Sequence, residues 1–124
     1  MPDVRLLDDH LEITFSLVDR LLGFDGKLDV PYAHVTNAYV SGFEDLELQY
    51  NIQGTNFGFY KSVGVFANPE GLIFVDAAGD RDCLVLETRG ERYPRIAVEL
   101  RRDEDPNAIA HEIMRRLPDS GPVE

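Results

Sequence analysis

Several short stretches of this chain hold residue types that, at other spacings, carry out phosphate or metal chemistry. GTNFGFYKS, residues 54–62, sets two glycines ahead of a Lys-Ser pair. A phosphate-cradling loop needs glycine directly before that pair, so that the backbone can wrap the phosphate oxygens. Tyr60 holds that place, no buried strand leads in and no clear helix leads out, so the stretch reads as loop. HEIMR, residues 111–115, opens like a zinc-protease helix, in which two histidines one turn apart face one metal. Its fifth residue is Arg115. DDH, residues 8–10, joins two carboxylates to an imidazole, but in an extended strand Asp9 and His10 point to opposite faces. His34 is isolated. DAAGDRD, residues 76–82, places Asp76, Asp80 and Asp82 close together, but the spacing fails for a calcium loop, which needs alternate oxygen ligands, a central glycine and a later glutamate. A solvated turn is the expectation there, and no metal site is expected anywhere.

Nucleophilic chemistry has no better footing. There is no serine elbow. The 23 Asp and Glu residues ensure that some pair lies close in space, and closeness alone does not make an acid–base dyad. Cys83 is the single cysteine, which excludes an internal disulfide and a thiolate zinc cluster and fits a reducing compartment. The expectation is a protein that is not an enzyme, with no catalytic residues and no cofactor.

The elements that must position any site come from composition and periodicity. A chain of 124 residues with 44% apolar and 10% aromatic residues can bury one core, so a single domain over 1–124 is expected. The structured core is expected over about 10–117, with 118–124 fraying. A net charge of −11 repels phosphate backbones and anionic headgroups at long range, so nucleic acid is not an expected partner. No apolar run approaches the roughly 18–20 residues needed to cross a bilayer. The amino terminus lacks a basic region followed by an apolar stretch, and a cytoplasmic location is expected.

A helix is legible near the end. Asp105 suits the N-cap and Pro106 the first helical position. Ile109, Ala110, Ile113, Met114 and Leu117 form one apolar stripe about 140° wide. Arg115 and Arg116 suit the negative end of the dipole, and Pro118 stops the helix. Strands come before it. LEITFSL alternates, with Leu11, Ile13, Phe15 and Leu17 on one face, and IAVEL repeats the pattern with Ile96, Val98 and Leu100. GKLDVPY, HVTNAYVS, SVGVFAN, GLIFVDAA and CLVLET are further candidates, with NPEG and TRGERY as turns. LVDRLLG, residues 17–23, reads as a turn or two of helix. Residues 41–62 read as a long loop. The total is about seven short strands, the number of a small barrel or sandwich, with the helix laid across one end.

GTNFG, then GVF, then CLVLE, then RYPRIAVEL, then the helix begun by Asp105 and Pro106, resembles the bacterial pleckstrin-homology (PH)-like domain family. The resemblance spans roughly residues 10–117. It implies a mainly β fold: a small barrel of about seven antiparallel strands capped by the C-terminal helix. It also implies association with proteins or with further copies of itself, and it supplies no catalytic residues. Phe57 stands where relatives often have proline. Phosphoinositide-binding members carry a basic cluster between the first two strands. Here Arg20 and Lys27 are offset by Asp19, Asp25 and Asp29, so phosphoinositide membrane binding is not expected.

The remaining functional candidate is aromatic. Phe43, Tyr50, Phe57, Phe59 and Tyr60 crowd the long loop. Such rings either hold the loop against the fold or form an exposed contact patch. The leading expectation is a binding or assembly module that uses this patch and the sheet edges. A carrier of a small apolar ligand, in or beside the barrel, is the alternative, and a small carboxylate enzyme is third.

Overall fold

The computed structural model describes residues 2–15, 27–48, 50–56, 62–69, 71–79 and 81–118. The fold is mainly β with one C-terminal helix. Its strands are β1 (Asp3–Leu6), β2 (His10–Thr14), β3 (Lys27–Pro31), β4 (Val35–Ser41), β5 (Tyr50–Asn56), β6 (Ser62–Asn68), β7 (Gly71–Ala77), β8 (Cys83–Thr88) and β9 (Arg95–Val98), and its helix is α1 (Pro106–Arg116). Short 3-10 turns lie at Tyr32–His34 and Phe43–Leu46.

The strands form two sheets, one in the order β1-β2-β3 and the other β4-β8-β9-β7-β6-β5. Neither sheet closes into the expected barrel. Among the described residues the outer strands β4 and β5 do not pair with each other, nor do β1 and β3, and β9 enters the larger sheet between β8 and β7, antiparallel to the first and parallel to the second. The described strands number nine rather than about seven, and the β7–β9 pairing departs from an all-antiparallel arrangement.

The three-stranded sheet follows the alternation of its sequence. Val4, Ile13 and Leu28 form one cross-strand row and Leu6, Leu11 and Val30 the next. Leu11 and Ile13 are fully buried and Phe15 nearly so. On the opposite face Glu12 lies 3.5 Å from both Arg5 and Lys27. Such exposed pairs contribute little stability each. They keep this face polar, which fixes which side of the sheet turns inward.

The central strands of the six-stranded sheet are buried on both faces. On one, Phe74, Leu84, Leu86, Ile96 and Val98 join the inward residues of the smaller sheet and Ala110 and Ile113 of α1. Phe15, Phe74 and Tyr93 form a line of rings with centroids 5.1 and 5.3 Å apart. On the other, Phe66, Ile73, Val75, Val85 and Ala97 form a second cluster, against which Phe43, Leu46 and Leu48 pack. Central strands covered on both sides lose polar alternation, and Cys83, Leu84, Val85 and Leu86 are all buried.

α1 begins as its sequence requires. The Asp105 carboxylate accepts a hydrogen bond from the Asn107 amide at 3.0 Å, and Pro106 fills the first turn. The helix lies against β4 and β8, not across a barrel mouth. Ala110 and Ile113 are buried and Ile109 and Leu117 partly so, but Met114 is 43% exposed, so the buried stripe is narrower than expected.

Two further expectations are corrected. Structure begins before residue 10, at β1, where four residues add an edge strand to β2. The long loop over residues 41–62 contains the Phe43–Leu46 turn and β5, which pairs antiparallel with β6 from Tyr50–Ala67 to Asn56–Ser62. LVDRLLG lies outside the described residues.

Candidate functional site

Of the five aromatic candidates, the structure positions one side chain. Phe43 opens the 3-10 turn that follows β4 and is half-buried, packed with Leu46 and Leu48 on the second cluster. It holds the segment to the sheet, which favours the structural role over the contact role. Tyr50 begins β5. Phe57, Phe59 and Tyr60 lie outside the described residues. Four of the five side chains of the expected patch thus lie outside the described ones.

Phe43 borders a hollow of about 300 Å³ that sequence reading missed, lined also by Glu44, Asp45, Asp82 and Arg81. It forms where the Phe43–Leu46 turn meets the β7–β8 connection. Glycines make the approach possible. Gly79 has φ +84°, in the left-handed region that disfavours a side chain. A Cβ on Gly42 would lie 3.3 Å from an Asp45 oxygen and 3.7 Å from one of Asp82. Arg81 does not neutralise this rim. Its guanidinium turns away and donates to the carbonyls of Arg101 at 2.6 Å and Glu104 at 3.2 Å. Glu44, Asp45 and Asp82 are left exposed, and the rim is negative.

Beneath it, Glu99 and Asp76 are fully buried. Asp76 was expected in a solvated turn and instead belongs to β7. The Glu99 carboxylate accepts hydrogen bonds from the amides of Ala78 at 3.1 Å and Gly79 at 2.9 Å. A buried carboxylate is tolerated where such donors satisfy it. Glu99 thereby holds the exit of β7 against that of β9, where its own amide donates to the Asp76 carbonyl at 2.9 Å. Cys83 is buried next to these acids. Burial first, then the charges of Glu99, Asp82 and Asp76, push its thiol up to about 12. A thiol so held is no nucleophile at neutral pH.

The histidines serve local structure. Asp9 lies in a bend before β2 rather than within the strand, so its carboxylate meets His10 Nδ1 at 2.6 Å, contrary to the expectation of opposite faces. His34 Nδ1 lies 2.5 Å from Glu91, tying the corner after β3 to the β8–β9 turn. His111 is exposed on α1. Among the described residues no three His, Cys, Asp or Glu side chains could hold one metal ion. No described helix is long and apolar enough to cross a membrane.

Comparison with known proteins adds no further constraint: no family model, no curated protein and no solved structure matches the chain.

Proposed function

We propose that this chain is a non-catalytic binding or assembly module, acting through contact with a protein partner or with further copies of itself. The observation that carries the reading is the open sheet edge. Among the described residues β1 and β3 pair only with β2, β4 only with β8 and β5 only with β6. An open edge presents unpaired amides and carbonyls that can receive a strand from another chain. The PH-like resemblance supports the same reading through its order of strands and final helix, although the two open sheets stand apart from the barrel it implies. The negative rim beside Phe43 would favour a cationic segment in the partner. Neither nucleic acid nor a phosphoinositide surface fits a chain of net charge −11.

Light scattering over a concentration series, combined with amide hydrogen exchange, tests the proposal. Association through an edge raises the mass above 14.0 kDa with concentration and slows exchange in β1, β3, β4 or β5 in step. Phe57→Ser or Phe59→Ser weakens it where the aromatic segment takes part. A monomer at every concentration, with unaltered exchange at all four edges and no partner recovered by pull-down, overturns the reading.

A further inference from the structure

We propose a second binding site, in the recess where the Tyr32–His34 turn, the β8–β9 turn and the end of α1 meet, for a small organic carboxylate with an apolar tail. The recess measures about 330 Å³, within the range of small-molecule sites. One side is apolar: the Tyr32 ring and Val35, both buried, face Leu117 and Pro118 at the helix end. The lining also includes Arg89 and Thr36, whose hydroxyl donates to the Glu87 carbonyl at 3.1 Å.

Arg89 is the group that selects the ligand. Each neighbouring carboxylate of the β8–β9 hairpin is already engaged. Glu87 accepts from Arg95 at 3.0 Å and from the Tyr39 hydroxyl at 3.3 Å, and Glu91 meets His34 at 2.5 Å. Arg92 lies over the Tyr93 ring, 5.3 Å from its centroid. Arg89 has no ion-pair partner among the described residues, and its position is set by its backbone amide, which donates to the His34 carbonyl at 2.8 Å. Arg89 thus lines a half-apolar recess with no side-chain hydrogen bond to another described residue. A planar fork of N–H donors matches the two oxygens of a carboxylate. A single cation on a chain of net charge −11 favours a monoanion over a polyphosphate.

Val35 and Thr36 lie on β4, one of the edge strands, so the titration is run at a concentration where light scattering shows a single species, and either proposal can then fail alone. Hexanoate titrated into the protein, followed by backbone amide resonances, provides the test. Saturable shifts are expected at Val35, Thr36, Arg89 and Leu117. Hexanamide, which keeps the tail and removes the charge, is expected to bind about tenfold or more weakly, as is hexanoate to Arg89→Gln. Arg89 is exposed, so that variant should melt with the parent. No saturable shift, an equal response in Arg89→Gln, equal binding of hexanamide, or the same shifts with inorganic phosphate would each overturn the assignment.

Discussion

The hydroxyl of Tyr32 and the guanidinium of Arg116 converge on one acceptor, the carbonyl of Leu7, at 2.8 and 3.1 Å. That carbonyl belongs to the β1–β2 turn, so one oxygen joins the smaller sheet, the corner leading to β4 and the last turn of α1. Arg116 keeps its place because Glu112, one turn earlier, accepts from it at 2.7 Å. Tyr32→Phe is expected to cost about 1 kcal/mol, the worth of one buried hydrogen bond. In a double-mutant cycle with Arg116→Met, a coupling energy of zero by urea denaturation would show that the shared acceptor does not link the two.

The two apolar positions Ile113 and Met114 should respond in opposite ways. Ile113 is fully buried between the sheets and the helix, and an Asp there places an unpaired charge in the core. Whole-domain stability is about 5–15 kcal/mol, so Ile113→Asp should leave the chain largely unfolded. Met114 is 43% exposed, and Met114→Gln should melt within a few degrees of the parent by circular dichroism. A cooperative parent-like melt for Ile113→Asp would overturn the packing of α1.

Cys83 offers a probe of global opening. Its thiol is held at about 12 by burial and nearby acids, so Ellman's reagent at pH 8 should label it at the rate at which the fold opens. Labelling should be immediate in denaturant. Rapid stoichiometric labelling of the native protein would contradict the burial of β8.

Glu99 can be tested through the amides it receives. Glu99→Ala leaves the Ala78 and Gly79 amides without their acceptor, at a cost of about 1–3 kcal/mol for each group left unsatisfied. Hydrogen exchange at those two amides should rise more than at the centre of β7. Unchanged protection there would mean that the carboxylate does not hold the β7 exit.

Glu112 gives the acid side of the pH profile. Hydrogen bonds from Arg115 and Arg116 hold its carboxyl at about 2, below the ordinary 4.5. A lowered folded-state value stabilises the fold above the unfolded value, and the contribution is lost as pH falls from about 4.5 toward 2. The group is exposed, so the effect is small and screened by salt. Glu112→Gln should narrow the difference in melting temperature between pH 6 and pH 3, most clearly at low ionic strength. An identical pH dependence in parent and variant would count against the Glu112–Arg116 pair.

What the sequence revealed, and what it hid, follows from how local each signal is. α1 was legible because Asp105, Pro106, the apolar spacing and Pro118 all act within one short segment. β2 was legible because one of its faces meets water. β5 was not, since Gln53, Gly54 and Asn56 blur its pattern and its pairing comes from β6. Glu99 read as an outward polar position, yet it is buried, because two amides of a connection twenty residues away satisfy it. The strand order of the larger sheet was hidden for the same reason: whether β9 lies beside β7, or β4 beside β5, is decided between distant segments, and no periodicity records it. Of the candidate site, only Phe43 is placed, and the Arg89 recess could not be read at all, because three separated segments build it.

The insertion of β9 sets a condition on how the molecule is made. Its neighbours β7 and β8 are synthesised earlier, yet nothing joins them until Arg95–Val98 emerges and threads between them. Until that pairing forms, β4-β8 and β7-β6-β5 are two separate pieces, and the larger sheet becomes one body only when a single four-residue strand bonds to both.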